Sequence, residues 1–401
     1  MNSLIKIYNN LGKFQDRRIL ASVIALVLGG YMMVVSAYGF VYLRYGFNWF
    51  MFSIGRIAVF IIAGFIAMVY LTKKFSGRRQ ANLIHVITGI IFVMMPMTLL
   101  FEPVNGAQSW LRLGPISVQP VEFLKVVSIL QFAWFFSRDK VKEMPLWKML
   151  GIPFLYLSVC GVLIFGLQND LGNFLIMLMI AFTLFMVIPD RRIRGCKILF
   201  GGLLLVGVVL LYFNGRAISD WIFALPEGTT GRIQMLRIAV LFNPLYDVFR
   251  FGFQLTNSLV AISSAGIMGS GLNTSLSKTI LPEAHNDAII AVIAEEFGMV
   301  GVSVLFILNI IIIMRLLNYA MKCKDNYDRY ILIGISTFFM AQFFVNIGGM
   351  VGLIPMTGVT LMFVSSGGSS IIMAFISIGI AQGIIRRYRN DRNRPKIVRN
   401  K

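Results

Sequence analysis

The sequence predicts an all-α integral membrane protein of about ten transmembrane helices, both termini cytoplasmic, with one long extracytoplasmic segment between helices 7 and 8. Three observations carry that expectation. The 401 residues are 57% hydrophobic and 13% charged, with mean hydropathy +0.78, where an ordinary soluble domain is roughly 25% charged. Apolar runs recur near 20–40, 51–71, 82–101, 121–136, 150–167, 174–189, 198–213, 288–314, 330–351 and 367–385. Basic residues fall between alternate runs, so the net charge of +20 reads as a topology signal and not as a nucleic-acid footprint.

The N-terminal segment, 1–19, carries Lys6, Lys13, Arg17 and Arg18 ahead of an apolar run without a cleavage site, which reads as an uncleaved first helix. The loops near 72–81, 137–149, 190–197 and 315–329 hold four basic residues each, and the basic tail, 386–401, holds eight. With the N-terminal four these make 28 of 37 basic residues on one side of an alternating bundle, the cytoplasmic side by the positive-inside rule. Between the ends lies a single polytopic domain, 20–385. Cys160, Cys196 and Cys323 stand alone, in no zinc or disulfide pattern.

On the opposite side fall 41–50, 102–120, a turn near 168–173, the long segment of about 214–286, and 352–366. "PEGTTGR" and "FNPLYDVFRFGFQ" predict turns and amphipathic pieces at the membrane surface in the long segment. In "NGAQSWLRLGPISVQPVEFLKV", Pro115 and Pro120 punctuate the entry to the fourth helix, and Glu122 and Lys125 follow at i,i+3. These two read either as an interfacial glutamate with a snorkelling lysine, or as a pair that anchors helix packing or meets an anionic ligand. Asp170 in "GLQNDLGNF" serves either the backbone of a turn or an outward cavity.

"ILPEAHNDAIIAVIAEEFG", 280–298, places five ionisable side chains at the start of an apolar run, where each costs about 2.5–3.5 kcal/mol at membrane depth. Pro282 ends any preceding helix, and Asn286 reads as an N-cap with Asp287 the first helical residue. Asp287 is then either a carboxylate favoured by the helix dipole or, beside Glu283 and His285, a general base at the outer boundary. Glu295 and Glu296 point about 100° apart on the helix and need separate buried partners. Arg216, Arg232, Arg237, Arg250 and Lys278 read as a phosphate clamp or as solvated charges. "GIMGSG" reads as a turn or helix-packing segment, while "NIGGMVGLIPMTGVTLMFVSSGGSSI" suits close helix packing or a cavity wall.

With these stretches in order, the chain resembles the SEDS family of bacterial shape, elongation, division and sporulation proteins, typified by FtsW and RodA, from about residue 20 to 388. The blocks that carry the resemblance are "NGAQSWLRLGP-ISVQPVEFLK", "QNDLGN", "GFQLTNSLVAISSAGIMGSGL", "LPEAHNDAIIAVIAEEFGMVG" and "GLIPMTGVTLMFVSSGGSS". The resemblance implies a peptidoglycan glycosyltransferase that polymerises lipid II, the undecaprenyl-pyrophosphate-linked disaccharide-peptide, at the outer face of the cytoplasmic membrane. It implies Asp287 as the base that deprotonates the acceptor 4-hydroxyl, and Glu122 and Lys125 as support for the cavity. Arg232, Gln254, Ser258 and Lys278 match recurrent polar positions, with the two cations expected at the pyrophosphate.

A divalent cation, Mg or Mn, is implied, with no organic cofactor. A class B penicillin-binding protein is the implied partner, alongside other divisome or elongasome proteins, and "TGVT" and "IGG" lean toward a division role at the septum. Asn169, Asn173, Ala288, Met362 and Ser366 depart from the family pattern. Two other readings stand beside this one: a flippase for a polyprenyl-linked precursor, and a non-catalytic scaffold whose basic tail meets anionic lipid or a cytoplasmic division protein.

Overall fold

A computed structural model describes residues 15–103, 106–114, 116–226, 232–250 and 252–393. Lys6, Lys13, Asn105, Pro115, residues 227–231 of "PEGTTGR", Phe251 and the chain from 394 onward lie outside the described residues. In chain order the elements are α1 (Arg17–Tyr45), α2 (Phe47–Lys74), α3 (Ala81–Met97), the hairpin β1 (Leu111–Leu113) and β2 (Ile116–Val118), α4 (Pro120–Phe136), α5 (Asp139–Glu143), α6 (Leu146–Gly161), α7 (Leu171–Val187) and α8 (Arg194–Phe223). There follow α9 (Arg232–Phe242), α10 (Phe253–Ser264), α11 (Ser277–Ile280), α12 (Ile289–Lys322), α13 (Asn326–Met350) and α14 (Gly368–Asn393).

Every apolar run of the sequence lies on a helix, and among the described residues eight helices are long and apolar enough to cross a membrane. The other two runs form α4 and α7, of 17 residues each. Burial separates centre from rim. The apolar windows of α13 and α14 are 72% and 83% buried, whereas that of α8 is 0% buried and presents its leucines, valines and aromatics outward. A helix apolar all round is at home in lipid, where exposing such residues costs nothing.

Three boundaries differ from the sequence expectation. The seventh helix continues ten residues past 213 to Phe223, because Gly215, Ser219 and Ile222 pack on α9 and the Ser219 hydroxyl donates to the Ala239 carbonyl at 3.0 Å. The last helix continues through Arg386 to Asn393, its arginines engaged by Phe75, Asp328 and Gln15. Asn286 does not cap α12, which starts at Ile289 with Ala288 in the cap position. Instead Glu283 takes a left-handed conformation (φ 59°), and its carbonyl accepts from the amides of Asn286 and Ala288, so Asp287 sits in a tight turn ahead of the helix.

Inside α12 the chain leaves helical geometry at Gly298 (φ 63°, ψ −160°), which frees carbonyls that a membrane interior requires to be bonded. The "GIMGSG" loop supplies the bonds: Ser270 and Gly271 amides donate to the carbonyls of Glu295 and Glu296 at 2.9 and 3.0 Å, and Met299 and Val300 donate back to Gly266 and Ile267. The two backbones touch. A Cβ on Gly298 would lie 2.3 Å from the Ile267 oxygen, and one on Gly269 (φ 74°) 2.4 Å from the Glu296 oxygen. The adjacent acids find the separate partners they need. The Glu295 carboxylate accepts from Leu276 and Ser277 amides and from the Ser275 hydroxyl, while Glu296 accepts from Ser36 at 2.6 Å and faces the Lys278 ammonium at 3.5 Å.

Gly298→Ala combines a left-handed φ with backbone overlap, so it should lower stability by about 2–4 kcal/mol. Thermal unfolding of the purified protein should show a clear fall in midpoint, where Gly89→Ala, at a position with open space around it, should leave the midpoint within a degree or two.

Candidate functional site

At the end of the bundle opposite the basic loops, a cavity of about 330 Å³ opens among loops and helix ends. Its walls come from eight parts of the chain: Tyr38 on α1, Arg56 on α2, the β1–β2 hairpin region with Ser109, Arg112 and Gln119, the 169–170 turn, Arg237 on α9, and the loops 283–287, 357–358 and 366–368. Three carboxylates, Asp170, Glu283 and Asp287, therefore share one space with three guanidinium groups, Arg56, Arg112 and Arg237. That charge pattern suits a polyanionic ligand held beside an acid or base.

Asp287 is 8% exposed, and its Oδ1 has no hydrogen bond among the described residues. Burial, and then the neighbouring Glu283 charge, push its carboxyl up to about 7, with the Gln254 side chain and local backbone amides acting against the shift. A group that titrates near neutrality is poised to take up and release protons. Burial likewise holds His285 below the usual imidazole range, with Glu283 opposing and Arg56 adding to the shift, so the ring is neutral at pH 7. It lies against the Tyr38 ring, centroids 4.4 Å apart, with Nε2 3.8 Å from Glu283 Oε2, and its carbonyl accepts from the Ser366 amide.

Below the cavity lies a buried polar network. The Lys125 ammonium is fully buried and donates to Glu122 Oε1 at 2.9 Å, Asn173 Oδ1 at 2.8 Å and Gln342 Oε1 at 3.0 Å. The Asn173 amide group reaches Asp170 at 2.8 Å, and Asp170 also caps α7 through the Asn173 backbone N–H. Ser109 and Gln119 complete the Asp170 shell at 3.2 Å each. On α13, Gln342 donates to the Thr360 carbonyl, and one turn later Asn346 donates to the carbonyls of Asp287 and Val359 at 2.8 and 2.7 Å. A continuous chain of contacts thus runs from the lysine to the turn that carries Asp287.

Of the residues singled out in the sequence, Asp170, Glu283, His285 and Asp287 meet at the cavity, with Gln254 behind Asp287. Glu122 and Lys125 form the network beneath it. Lys278 does not line the cavity: its ammonium bonds the Asn273 carbonyl at 2.8 Å and faces Glu296. Ser258 is buried with its hydroxyl against the Met350 sulfur, and Arg232, at the start of α9, is not among the lining residues, whereas Arg237 one turn and a half further on is. Sequence reasoning passed over Arg56, Tyr38, Arg112, Gln342 and Asn346. Only Arg56 carried a signal, as a lone charge inside an apolar run.

Fold and site together define a polytopic membrane protein whose helix bundle carries a charged cavity near one end. Residues 17–390 match the FtsW, RodA and SpoVE family, described as cell cycle proteins, and the chain belongs to that family. It is 32% identical to a probable peptidoglycan glycosyltransferase FtsW of Bacillus subtilis (strain 168) over 400 residues, covering 96% of this chain and 94% of the relative. It is also 32% identical to a probable peptidoglycan glycosyltransferase FtsW of Enterococcus hirae over 314 residues, 77% of this chain and 76% of that one. Among solved structures, a chain described under the structural coordination of polymerization and crosslinking by a peptidoglycan synthase complex superposes with TM-score 0.71 at 25% identity, covering 93% of this chain and 98% of that chain.

Lys125→Met leaves Glu122 buried without its partner and should cost about 3–5 kcal/mol, whereas Glu122→Gln with Lys125→Met together should recover a good part of it. Unfolding midpoints of the two variants check this; equal losses in both would show that the cost comes from losing the ammonium's bonds and not from an orphaned Glu122 charge.

Proposed function

We propose that the chain is a peptidoglycan glycosyltransferase that polymerises lipid II into glycan strands at the outer face of the bacterial cytoplasmic membrane during cell division. The observation that carries the reading is the placement of Asp287: a buried carboxyl raised to about 7, with Oδ1 unbonded among the described residues, on the wall of a cavity that also holds three arginines. Its family relatives, named as probable peptidoglycan glycosyltransferases, supply the reaction class.

In the forward step Asp287 takes the proton of the acceptor sugar's 4-hydroxyl as that oxygen attacks the anomeric carbon of the donor. The glycosidic C–O bond forms, the bond from the anomeric carbon to phosphate breaks, and undecaprenyl pyrophosphate leaves with the electron pair. Arg56, Arg112 and Arg237 stand where they would balance the charge of the departing pyrophosphate. His285, packed against Tyr38 with the rings tilted, keeps the loop from swinging, and Asn346 holds the Asp287 backbone.

Among the described residues no group of three or more His, Cys, Asp or Glu side chains is arranged to hold a metal. A divalent cation that draws its oxygens from substrate phosphates and water, as Mg commonly does, would need no dedicated protein cage beside the open cavity. Such an ion would neutralise the leaving pyrophosphate. A class B penicillin-binding protein is the partner proposed to crosslink the product, and the division septum the proposed place of work.

Purified protein with Mg or Mn, alone and with its cognate transpeptidase, should convert lipid II to polymer. Asp287→Asn should lose polymerisation by about a hundredfold or more with an unfolding midpoint no lower than wild type, since the amide avoids the cost of burying a charge. Polymer from both proteins would remove Asp287 from the role of base, and polymer from neither, with a competent partner present, would remove the enzyme reading.

A further inference from the structure

The end of the bundle away from the catalytic cavity holds a second cavity, of about 420 Å³, lined by Tyr319 and Lys322 of α12 and Tyr388, Arg389 and Arg392 of α14. That volume falls within the roughly 300–1,000 Å³ of pockets that enclose small ligands. Its electrostatics are one-sided. Asp16, buried at the start of α1, touches two of the lining side chains, and Arg315, the Tyr319 hydroxyl and a longer contact from Arg389 at 3.5 Å already occupy it. Arg389 is further held by the Gln15 carbonyl and Tyr319. Lys322 and Arg392 are exposed and make no ion pair among the described residues. Arg315 and Arg389 thus already engage the one nearby carboxylate, and Lys322 and Arg392 add two further cations to the cavity lining.

We infer that this cavity is a binding site for the phosphate headgroup of an anionic membrane lipid. Three features select a lipid over a soluble anion. Tyr319 and Tyr388, with ring centroids 6.1 Å apart, line the cavity beside the cations, and tyrosines near helix ends mark the level of the headgroups. The basic end of each helix is the side that positive-inside topology turns to the cytoplasm, where the leaflet surface is anionic. Below Lys322, α12 exposes Met314, Ile307 and Val304 at 53%, 55% and 52%, an apolar face along which acyl chains can lie. A lipid seated there bridges α12 to α14, two helices whose far ends border the catalytic cavity through the 283–287 and 366–368 loops.

The test is native mass spectrometry of the full-length protein in neutral detergent, titrated with phosphatidylglycerol, cardiolipin or phosphatidylcholine. Lys322→Ala with Arg392→Ala removes two cations that hold nothing else together. Each basic residue near an anionic surface contributes about fivefold, so affinity for the anionic lipids should fall on the order of 25-fold. Lys73→Ala with Lys74→Ala, the same charge change at the end of α2, should leave affinity within about twofold of wild type. Equal loss in both double variants, or equal binding of phosphatidylcholine, overturns the site. Displacement of bound lipid by millimolar inorganic phosphate overturns the lipid in favour of a soluble phosphate.

Discussion

One buried ammonium organises this molecule. Lys125 lies in the middle of a helix bundle, out of reach of water, and an unpaired charge there would cost several kcal/mol. Its three acceptors come from α4, α7 and α13, so satisfying the charge fixes the mutual position of three helices. Both long branches of the network end at the cavity. Through Asn173 it reaches Asp170, and through Gln342 and Asn346, one turn apart on α13, it reaches the segment 359–360 and the carbonyl of Asp287. A hydrophobic interface between membrane helices has no comparable directionality, because lipid tails compete equally for apolar surface.

Beside that network, the Asp287 carboxyl stands out for its setting, buried on the cavity wall and raised to about 7. Lys125 has three partners, Glu295 is bonded by two amides and a hydroxyl, and Asp16 is gripped by Arg315 and Tyr319, yet Asp287 Oδ1 is buried with none. Unbonded buried carboxylate oxygens also occur on Glu122 and Glu296, but of the three residues only Asp287 lines the cavity. A buried carboxylate oxygen left unbonded on the wall of a cavity is where function is expected to lie. The helix break at Gly298 belongs to the same arrangement, since the loop it binds carries on through Lys278 to the turn that holds Asp287.

The bundle was legible in the sequence because hydropathy is a local property: each apolar run fell on a helix, and the basic loops marked one end. Boundaries were less so. The extension of α8 depends on α9 packing against Gly215, and the tight turn at 283–288 depends on a left-handed glutamate, neither of which has a local signal. The acids of the cavity were found as charges beside an apolar run, where the expense of burying them demands a reason. Gln342 and Asn346 were missed since uncharged amides at i,i+4 within a helix look like minor polar interruptions until their partners, 13 to 217 residues away, are seen. The expectation that Lys278 meets pyrophosphate fared differently: without the fold, nothing in the sequence reveals that Glu296 faces it.

The central claim is that Asp287 acts as a base whose affinity for protons is set by burial and by Glu283. The most direct measurement is the pH dependence of kcat/KM for lipid II polymerisation, in wild type and in Glu283→Gln. A base works only when ionised, so activity should rise with pH and level off above an apparent pKa of about 7. Removing the Glu283 charge should move that limb to lower pH, because one of the two influences that hold the proton on Asp287 is gone. A limb in the ordinary carboxylate range, near about 4, or one near neutrality that ignores Glu283→Gln, would contradict the account.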